Sequence, residues 1–469
     1  MRQPVVVDLA SLQPHGGMSP SFGGMNPSSS LLETLSTVEA ARQKLRVPFY
    51  MYTDKDVDGL PTGYSFALAN SNLTECGLGS GQHFMGEFMF IEALKRHPWR
   101  TNRSEDAMVI VIPVVTAGLV DIMVNEGAWL NGLKCPEYTY NMAEVLLHAV
   151  QNSSLYRRRT RDHLIVSGHD IAMVAFATRM PDVIVAAQWT YSINERQRTL
   201  VTPFGTPSRT PDDFPANGAE RPISFFQGGQ MSTGFSSGKM HPGYYMREHL
   251  LSERSRLPAG TVLITTSPPP TDCNTSNTGP CSAAGLTSCG ATLDEHSSIV
   301  ASPHALACHG KYDASIFKRV RYSICTRGDN PSSPRLYEAA MYGAIPVFIS
   351  DRAFEVANPF QCVVPYGQFT RNVEESACLA NCGAALTNAT ASDTPSTLRM
   401  MRRLLRMYRR DLLWNHPHSR VAENILLETA HRYYPSSAPG AFCPFPNQLR
   451  TCLLKKTYLE QDPDPCTRP

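Results

Sequence analysis

The stretches AMVIVIPVV (residues 107–115) and HLIVSG (163–168) are apolar without alternation, and a segment with helical spacing lies between them. A strand wetted on one face alternates apolar and polar side chains, whereas one that is apolar throughout has both faces covered. A parallel sheet between two helical layers meets that condition, and its strands need long crossovers. The first half supplies them in order. VPFYMY reads as a strand, then FMGEFMFIEALKRH as a helix with Phe84, Phe88, Ile91 and Leu94 at helical spacing and Pro98 as its stop. AMVIVIPVV, the helix YNMAEVLLHAV and the strand HLIVSGHD follow. The expectation is a doubly wound α/β half.

A second half repeats the theme with PISFFQGG, a helix from Pro242 to Glu253, and TVLITT. A chain of 469 residues exceeds the roughly 100 to 200 of one domain, so two domains are expected. Residues 1–45 read as an arm or stem, 46–218 as the first domain, 219–435 as the second, and 436–469 as a Cys- and Pro-rich tail. Residues 267–307, dominated by Pro, Thr, Ser, Asn, Gly and Cys, form a disulfide-rich insertion in the second domain. RMMRRLLRMYRRDLLWNH forms a long basic helix with Leu404, Leu405, Met407, Leu412 and Leu413 as its apolar side.

Lys+Arg 43 against Asp+Glu 41 leaves +2, which excludes nucleic-acid binding by bulk charge. Thirteen cysteines, several in polar loop sequence, point to disulfides and an oxidising compartment. Sequons at Asn72, Asn102, Asn152, Asn274 and Asn388 agree with a secretory lumen. The first residues lack a signal-peptide core, and no stretch reaches the about 18 apolar residues of a membrane helix. Any membrane attachment is therefore expected through an anchor absent from this chain.

The segment KYDASIFKRVRYSICTRGDNPSSPRLYEAAMYGAIPVFISD carries the chemistry. YSICT is a strand, RGDNPSS a loop, PRLYEAAMY a helix, Gly343 its stop and AIPVFIS a second strand. Ser333 stands at the N-cap position and Pro334 at the first helical position. Leu336, Ala339 and Ala340 form the buried face, and Arg335 and Glu338 share the opposite one. Arg327, Gly328, Ser332, Ser333 and Arg335 thus surround a helix N-terminus, which suits a diphosphate, while Glu338 can accept bonds from two ribose hydroxyls. The plainer reading is a capped structural helix with a surface Arg–Glu pair.

SICTRGDNPSSPRLYEAAMYGAIPVF, followed by DRAFEVANPF, resembles the central motif of the exostosin-like glycosyltransferases, glycosyltransferase family 47. HFMGEFMFIEALKRHPWRTNRSEDAMVIVIPV, YRRRTRDHLIVSGHD, and RPISFFQGGQ with the later MREHL resemble further stations of that family. The similarity runs with gaps from about Pro48 to Phe369. It implies a GT-B architecture, two Rossmann-like domains facing across a cleft, with acceptor on the N-terminal side and nucleotide-sugar on the C-terminal side. It further implies inverting transfer from a UDP-sugar to a polysaccharide or glycoprotein glycan in the Golgi or endoplasmic reticulum lumen. Glu338 would hold the ribose, Arg335, Ser332 and Ser333 the diphosphate, and Arg247 would be a further cation beside the cleft. A GT-B site can stabilise the leaving diphosphate without metal, so no cofactor beyond the donor is expected and a divalent metal is not indicated.

The base is expected at the carboxyl end of an N-terminal-domain strand, where Asp170 or His169 fits best and Glu87 second. Asp170 can equally cap the next helix. The acidic run Asp54, Asp56 and Asp58 reads as a solvated turn or an acceptor contact. Where the family carries Gly-Arg after its FFFAG-like strand, this chain has Gly228-Gly229-Gln230, so Lys239 or Arg247 would substitute. That departure opens an alternative, a weak or inactive subunit that stabilises a partner glycosyltransferase in a homo- or hetero-oligomer.

Overall fold

The computed structural model describes residues 39–40, 45–67, 86–115, 137–168, 179–188, 198–205, 221–229, 242–266, 286, 288–289, 292–297, 305–327, 332–351, 357–361 and 363–434. The proposed tail, nearly all of the arm and most of the 267–307 insertion lie outside them. The chain divides into two compact units: Met1–Pro207 with Pro359–Val364 and Arg420–Pro469, and Ser208–Asn358 with Pro365–Ser419. The sequence reading ran the second domain to residue 435, but the segment from Arg420 belongs with the first unit. Among the described residues no helix is long and apolar enough to cross a membrane.

In the first unit five strands, β1 (Phe49–Met51), β2 (Val109–Val111), β3 (His163–Val166), β4 (Ile184–Ala187) and β5 (Arg198–Val201), pair in parallel in chain order. Continuous apolar sequence becomes continuous burial, with β2, β3 and β4 buried at every residue. Alternate side chains then serve opposite faces. Ile110, Ile112, Ile165, Val185 and Ala187 share one core with Leu146, Leu147 and Val150 of α2 (Glu137–Asn152) and Leu155 of α3 (Ser154–Arg158). The other face receives α1 (Gly86–Lys95), which packs on β3. The buried stripe of α1 is Glu87, Phe90, Ile91 and Leu94, so Phe90 fills the place the periodicity gave to Phe88.

The second unit has six parallel strands, β6 (Ile223–Gly229), β7 (Thr261–Thr265), β8 (Leu306–His309), β9 (Val320–Thr326), β10 (Ile345–Ile349) and β11 (Arg371–Val373). Their order is β11-β10-β9-β6-β7-β8, which is the strand order of a Rossmann sheet. The chain starts in the middle at β6, winds outward through β7 and β8, returns to the other side of β6 at β9, and winds outward again. The reversal between β6 and β9 parts the crossovers at the strands' carboxyl ends, where such sheets bind ligands.

Around this sheet stand α4 (Pro242–Ser252), α5 (Arg335–Tyr342), α6 (Tyr366–Phe369), α7 (Glu375–Thr390) and α8 (Pro395–Leu412). Helix α5 packs on β9 and β10, with α8 outside it. Gly343 ends α5 in the left-handed region at φ 77°, and its N–H returns to Ala339 O at 2.8 Å. The core side of α8 is Met401, Leu404, Leu405, Tyr408 and Leu412. Met407, expected in that stripe, is 38% exposed, because its place on the helix points away from α5 and α6. Phe226, Phe317, Ile324 and Tyr337 are among the fully buried side chains, each contributing about 2 kcal/mol by transfer from water. Helix α9 (Val421–Tyr433) belongs to the first unit, where it packs against α1 and β5 and Tyr433 donates to Thr199 O at 2.8 Å.

Near the amino ends of β3 and β6, buried polar groups bond across elements. In the first unit the Tyr52 hydroxyl lies 2.8 Å from His163 Nε2 and 3.2 Å from Ser153 Oγ, and His163 Nδ1 is 2.9 Å from Arg159 O. Burial holds that imidazole's pKa down, at about 4. In the second unit Arg221 donates to Phe317 O, Val320 O and Tyr342 O at 2.8, 2.7 and 2.9 Å, tying β6 to the start of β9 and the end of α5.

Two disulfides are described, Cys289–Cys308 and Cys378–Cys382. The second spans a break inside α7, where Asn381 leaves helical geometry. Among the described residues the free cysteine is Cys325, buried in β9, where desolvation raises its pKa.

Candidate functional site

The site forms at the reversal point of the second sheet. β6 and β9 pair with Phe226 opposite Ser323, so the strands end together at Gly229 and Thr326. Helix α5 begins beyond the end of β9, and its first turn carries the two charges singled out in the sequence. Arg335 Nη1 donates to Glu338 Oε2 at 2.7 Å, with the side chains 13% and 5% exposed. This corrects the surface-pair reading: the charges are buried together, an arrangement that a chain tolerates only when each is compensated.

The floor beneath the pair is β6. Gly229 has φ 136°, and a Cβ there would lie 3.6 Å from Arg335 Nη2. The guanidinium therefore rests against the end of β6. Tyr312 closes the other side. Its hydroxyl donates a long hydrogen bond to Glu338 Oε2 at 3.4 Å, and the Arg335 guanidinium lies 5.4 Å from its ring centroid. Glu338 Oε2 is thus engaged twice, and no hydrogen bond to Oε1 is formed among the described residues.

At the same end of the sheet, Ser333 Oγ and Gln227 Oε1 are buried with no hydrogen-bond partner among the described residues. Ser333 is 4% exposed and Gln227 1%. Ser333 was expected to cap α5 with its hydroxyl; it does not. Pro334 already has helical angles, φ −61° and ψ −18°, and Leu336 N donates to the Ser333 carbonyl at 3.2 Å instead. The hydroxyl is left over at the helix N-terminus. Buried donors and acceptors without partners are costly, so they mark places where a ligand or water completes the set.

Arg247 in α4 points to the same sheet end, with Nε 3.3 Å from Thr326 Oγ1 and 3.1 Å from Arg327 O. The Arg327 side chain lies 3.6 Å from Glu375. Ser332, 6% exposed, directly precedes Ser333. The structure thus gathers Arg247, Arg327, Ser332, Ser333, Arg335 and Glu338 around one strand end, while Gly328 and Lys239 fall outside the described residues.

The base candidates belong to the first unit. His169 and Asp170 lie outside the described residues. Glu87 is buried in α1, and its Oε1 accepts the N–H of Gly168, the last described residue before them. The acidic run is a self-contained turn. Asp56 accepts from Thr53 N at 2.7 Å and Tyr50 OH at 2.8 Å, and Asp54 accepts from Phe66 N at 2.8 Å. Tyr312 and Gln227 escaped the sequence reading. The Phe226-Gln227-Gly228-Gly229 run did carry a polar residue into an otherwise apolar strand end, which is the signal that was available for Gln227.

Similar solved structures include the GtfA/B complex (TM-score 0.35, 10% identity, 73% of this chain and 59% of that one). They also include the pneumococcal O-GlcNAc transferase GtfA in complex with UDP and GlcNAc (0.32, 8%, 73% and 59%). A third is CalG4, the calicheamicin glycosyltransferase (0.31, 11%, 83% and 100%). The chain thus spans 59% of the first two. A search of curated proteins gave no match. The two Rossmann-like α/β units are the domain content of the GT-B fold. The family model for the Exostosin GT47 domain matches residues 43–381, well over half of the 469, and carries within it α5 with its buried charge pair: the chain belongs to the exostosin GT47 family of glycosyltransferases.

Proposed function

We propose that the protein is an inverting glycosyltransferase that moves a sugar from a UDP-sugar to a polysaccharide or glycoprotein glycan. The observation that carries this reading is the buried Arg335–Glu338 pair at the reversal of the second sheet, at the end of the sheet where Ser333 Oγ and Gln227 Oε1 are buried without partners among the described residues. Glu338 Oε1 accepts a ribose hydroxyl. The N-terminus of α5, Ser332, Ser333 and the Arg335 guanidinium take the diphosphate, with Arg247 as a further cation. These groups are already oriented by neighbours before a donor arrives, so little reorganisation opposes the charge that develops on departing UDP.

A base in the first unit removes the acceptor hydroxyl's proton as the sugar passes through an oxocarbenium-like state. Asp170 or His169 takes that role, and Glu87 positions the backbone just before them. The chemistry so described runs on side chains and a helix N-terminus, with the UDP-sugar as the sole small molecule. A lumenal setting is supported by the two disulfides and by Asn102, Asn152 and Asn388, all exposed. Its test is a mobility shift on glycosidase treatment of the cell-made protein.

A UDP-sugar panel scored by UDP release, with Arg335→Ala as control, tests the catalytic reading. Absence of UDP binding, or full activity in Glu338→Ala, sinks it. The alternative, a subunit that stabilises a partner glycosyltransferase, draws on Gly228-Gly229-Gln230 in place of the family's arginine. It predicts UDP release only after a partner is added.

A further inference from the structure

Tyr312 is the residue through which the inserted segment reaches the charge pair. Its ring meets Phe226 edge-on at 5.3 Å and Phe317 at 6.4 Å, and it covers Gly228 so closely that a Cβ there would lie 2.4 Å from Cε1. Packing explains the ring. It does not explain why the hydroxyl is turned to Glu338 Oε2 and the face to the Arg335 guanidinium.

The backbone that carries Tyr312 is held from outside the sheet. Two isolated parallel bridges join it to the inserted segment, Ser288 to His309 at the end of the edge strand β8 and Leu293 to Tyr312 itself. Cys289 N donates to His309 O at 2.8 Å, Leu293 N to Lys311 O at 3.0 Å, and Asp313 N to Leu293 O at 2.7 Å. The Cys289–Cys308 disulfide locks this pairing one residue before His309. The inserted segment therefore ends in a clamp whose far side is the donor-site carboxylate.

We propose that Tyr312 is a positioning residue for the donor nucleotide, held in register by the Cys289–Cys308 disulfide, and that it sets recognition of the ribose by orienting Glu338. This rests on the reading of the Arg335–Glu338 pair as the UDP site. With Oε2 occupied by Arg335 and Tyr312, Oε1 is the acceptor left for a ribose hydroxyl. Loss of the Tyr312 hydroxyl leaves Arg335 as the remaining contact of Oε2 and loosens the carboxylate's orientation, so ribose discrimination falls more than phosphate binding does. Reduction of the disulfide acts in the same direction through the loosened strand.

The test measures binding of UDP and of 2′-deoxy-UDP to the full chain and to Tyr312→Phe, which keeps the ring and its packing. The expected result is about threefold weaker UDP binding in Tyr312→Phe, a much smaller change for 2′-deoxy-UDP, and an unfolding temperature close to that of the parent. A reductant is expected to narrow the preference for UDP in the parent and to change nothing in a Cys289→Ser/Cys308→Ser chain, which separates this disulfide from Cys378–Cys382. If the parent binds no UDP, the donor-site reading falls and this proposal with it. If the parent binds UDP and Tyr312→Phe keeps the same preference, or loses affinity for both nucleotides equally, the positioning role alone is overturned.

Discussion

The two units build parallel sheets from the same kind of apolar strand, and both bury polar atoms with no hydrogen-bond partner among the described residues, but they differ in where such atoms stand relative to the sheet. In the first unit Tyr52 bonds to Ser153 and His163 near the amino end of β3, as Arg221 does to three carbonyls near the amino end of β6 in the second. At the carboxyl end of the second sheet Ser333 Oγ and Gln227 Oε1 are buried with no partner among the described residues. Burial of a polar residue is therefore no mark of function on its own; an open hydrogen-bonding set at a strand-order reversal is. Among the described strands the first sheet, β1 to β5 in chain order, has no such reversal.

The sharpest way to break this contrast is at the charge pair. Arg335→Ala and Glu338→Ala are each expected to cut UDP release about 100- to 1000-fold, and to cost stability because each leaves a buried charge alone. Unchanged activity per folded molecule would remove the distinction between the two ends. Next in size is the pH dependence of the first unit. The unfolded chain's His163 imidazole takes up a proton below its ordinary value of 6.5, while the folded one resists until about 4. Its contribution to stability is thus complete above pH 6.5 and is lost as pH falls toward 4, by about 3 kcal/mol at most. Denaturant melts across that range are expected to slope in the parent and to flatten in His163→Gln.

Arg221→Lys, which cannot reach three carbonyls with a rigid fork, is expected to cost the second unit about 2 kcal/mol, read as a shift in its denaturation midpoint. Tyr52→Phe is the mildest, about 1 kcal/mol, with UDP release per folded molecule unchanged. A loss of turnover in that variant would mean that the first unit's network reaches the chemistry.

Much of this was readable beforehand, for a physical reason. Continuous apolar runs such as 107–115 signal strands covered on both faces because each residue reports its own burial, and the strand–helix–strand around Arg335 is local enough for its punctuation to show. What stayed hidden depends on residues far apart in the chain. Tyr312 meets Glu338 across 26 residues and a strand, and nothing near it marks the encounter. Arg221 stands just before the strand PISFFQGG in the sequence, and its three acceptors come from the turn before β9, β9 itself and α5. The N-cap at Ser333 was misread because Pro334 takes up helical angles itself, releasing the hydroxyl. The Phe88 and Met407 placements failed where one helical position separates a buried stripe from its flank.

The return of the chain at Arg420 has a consequence for the order of events during synthesis. Helix α9 covers α1 and β5, which left the ribosome more than two hundred residues earlier. The second unit is complete on the chain before that cover exists. Until α9 emerges, the apolar side of α1 and β5 waits exposed while the later unit folds, and it is in this interval that the nascent chain most needs protection from aggregation.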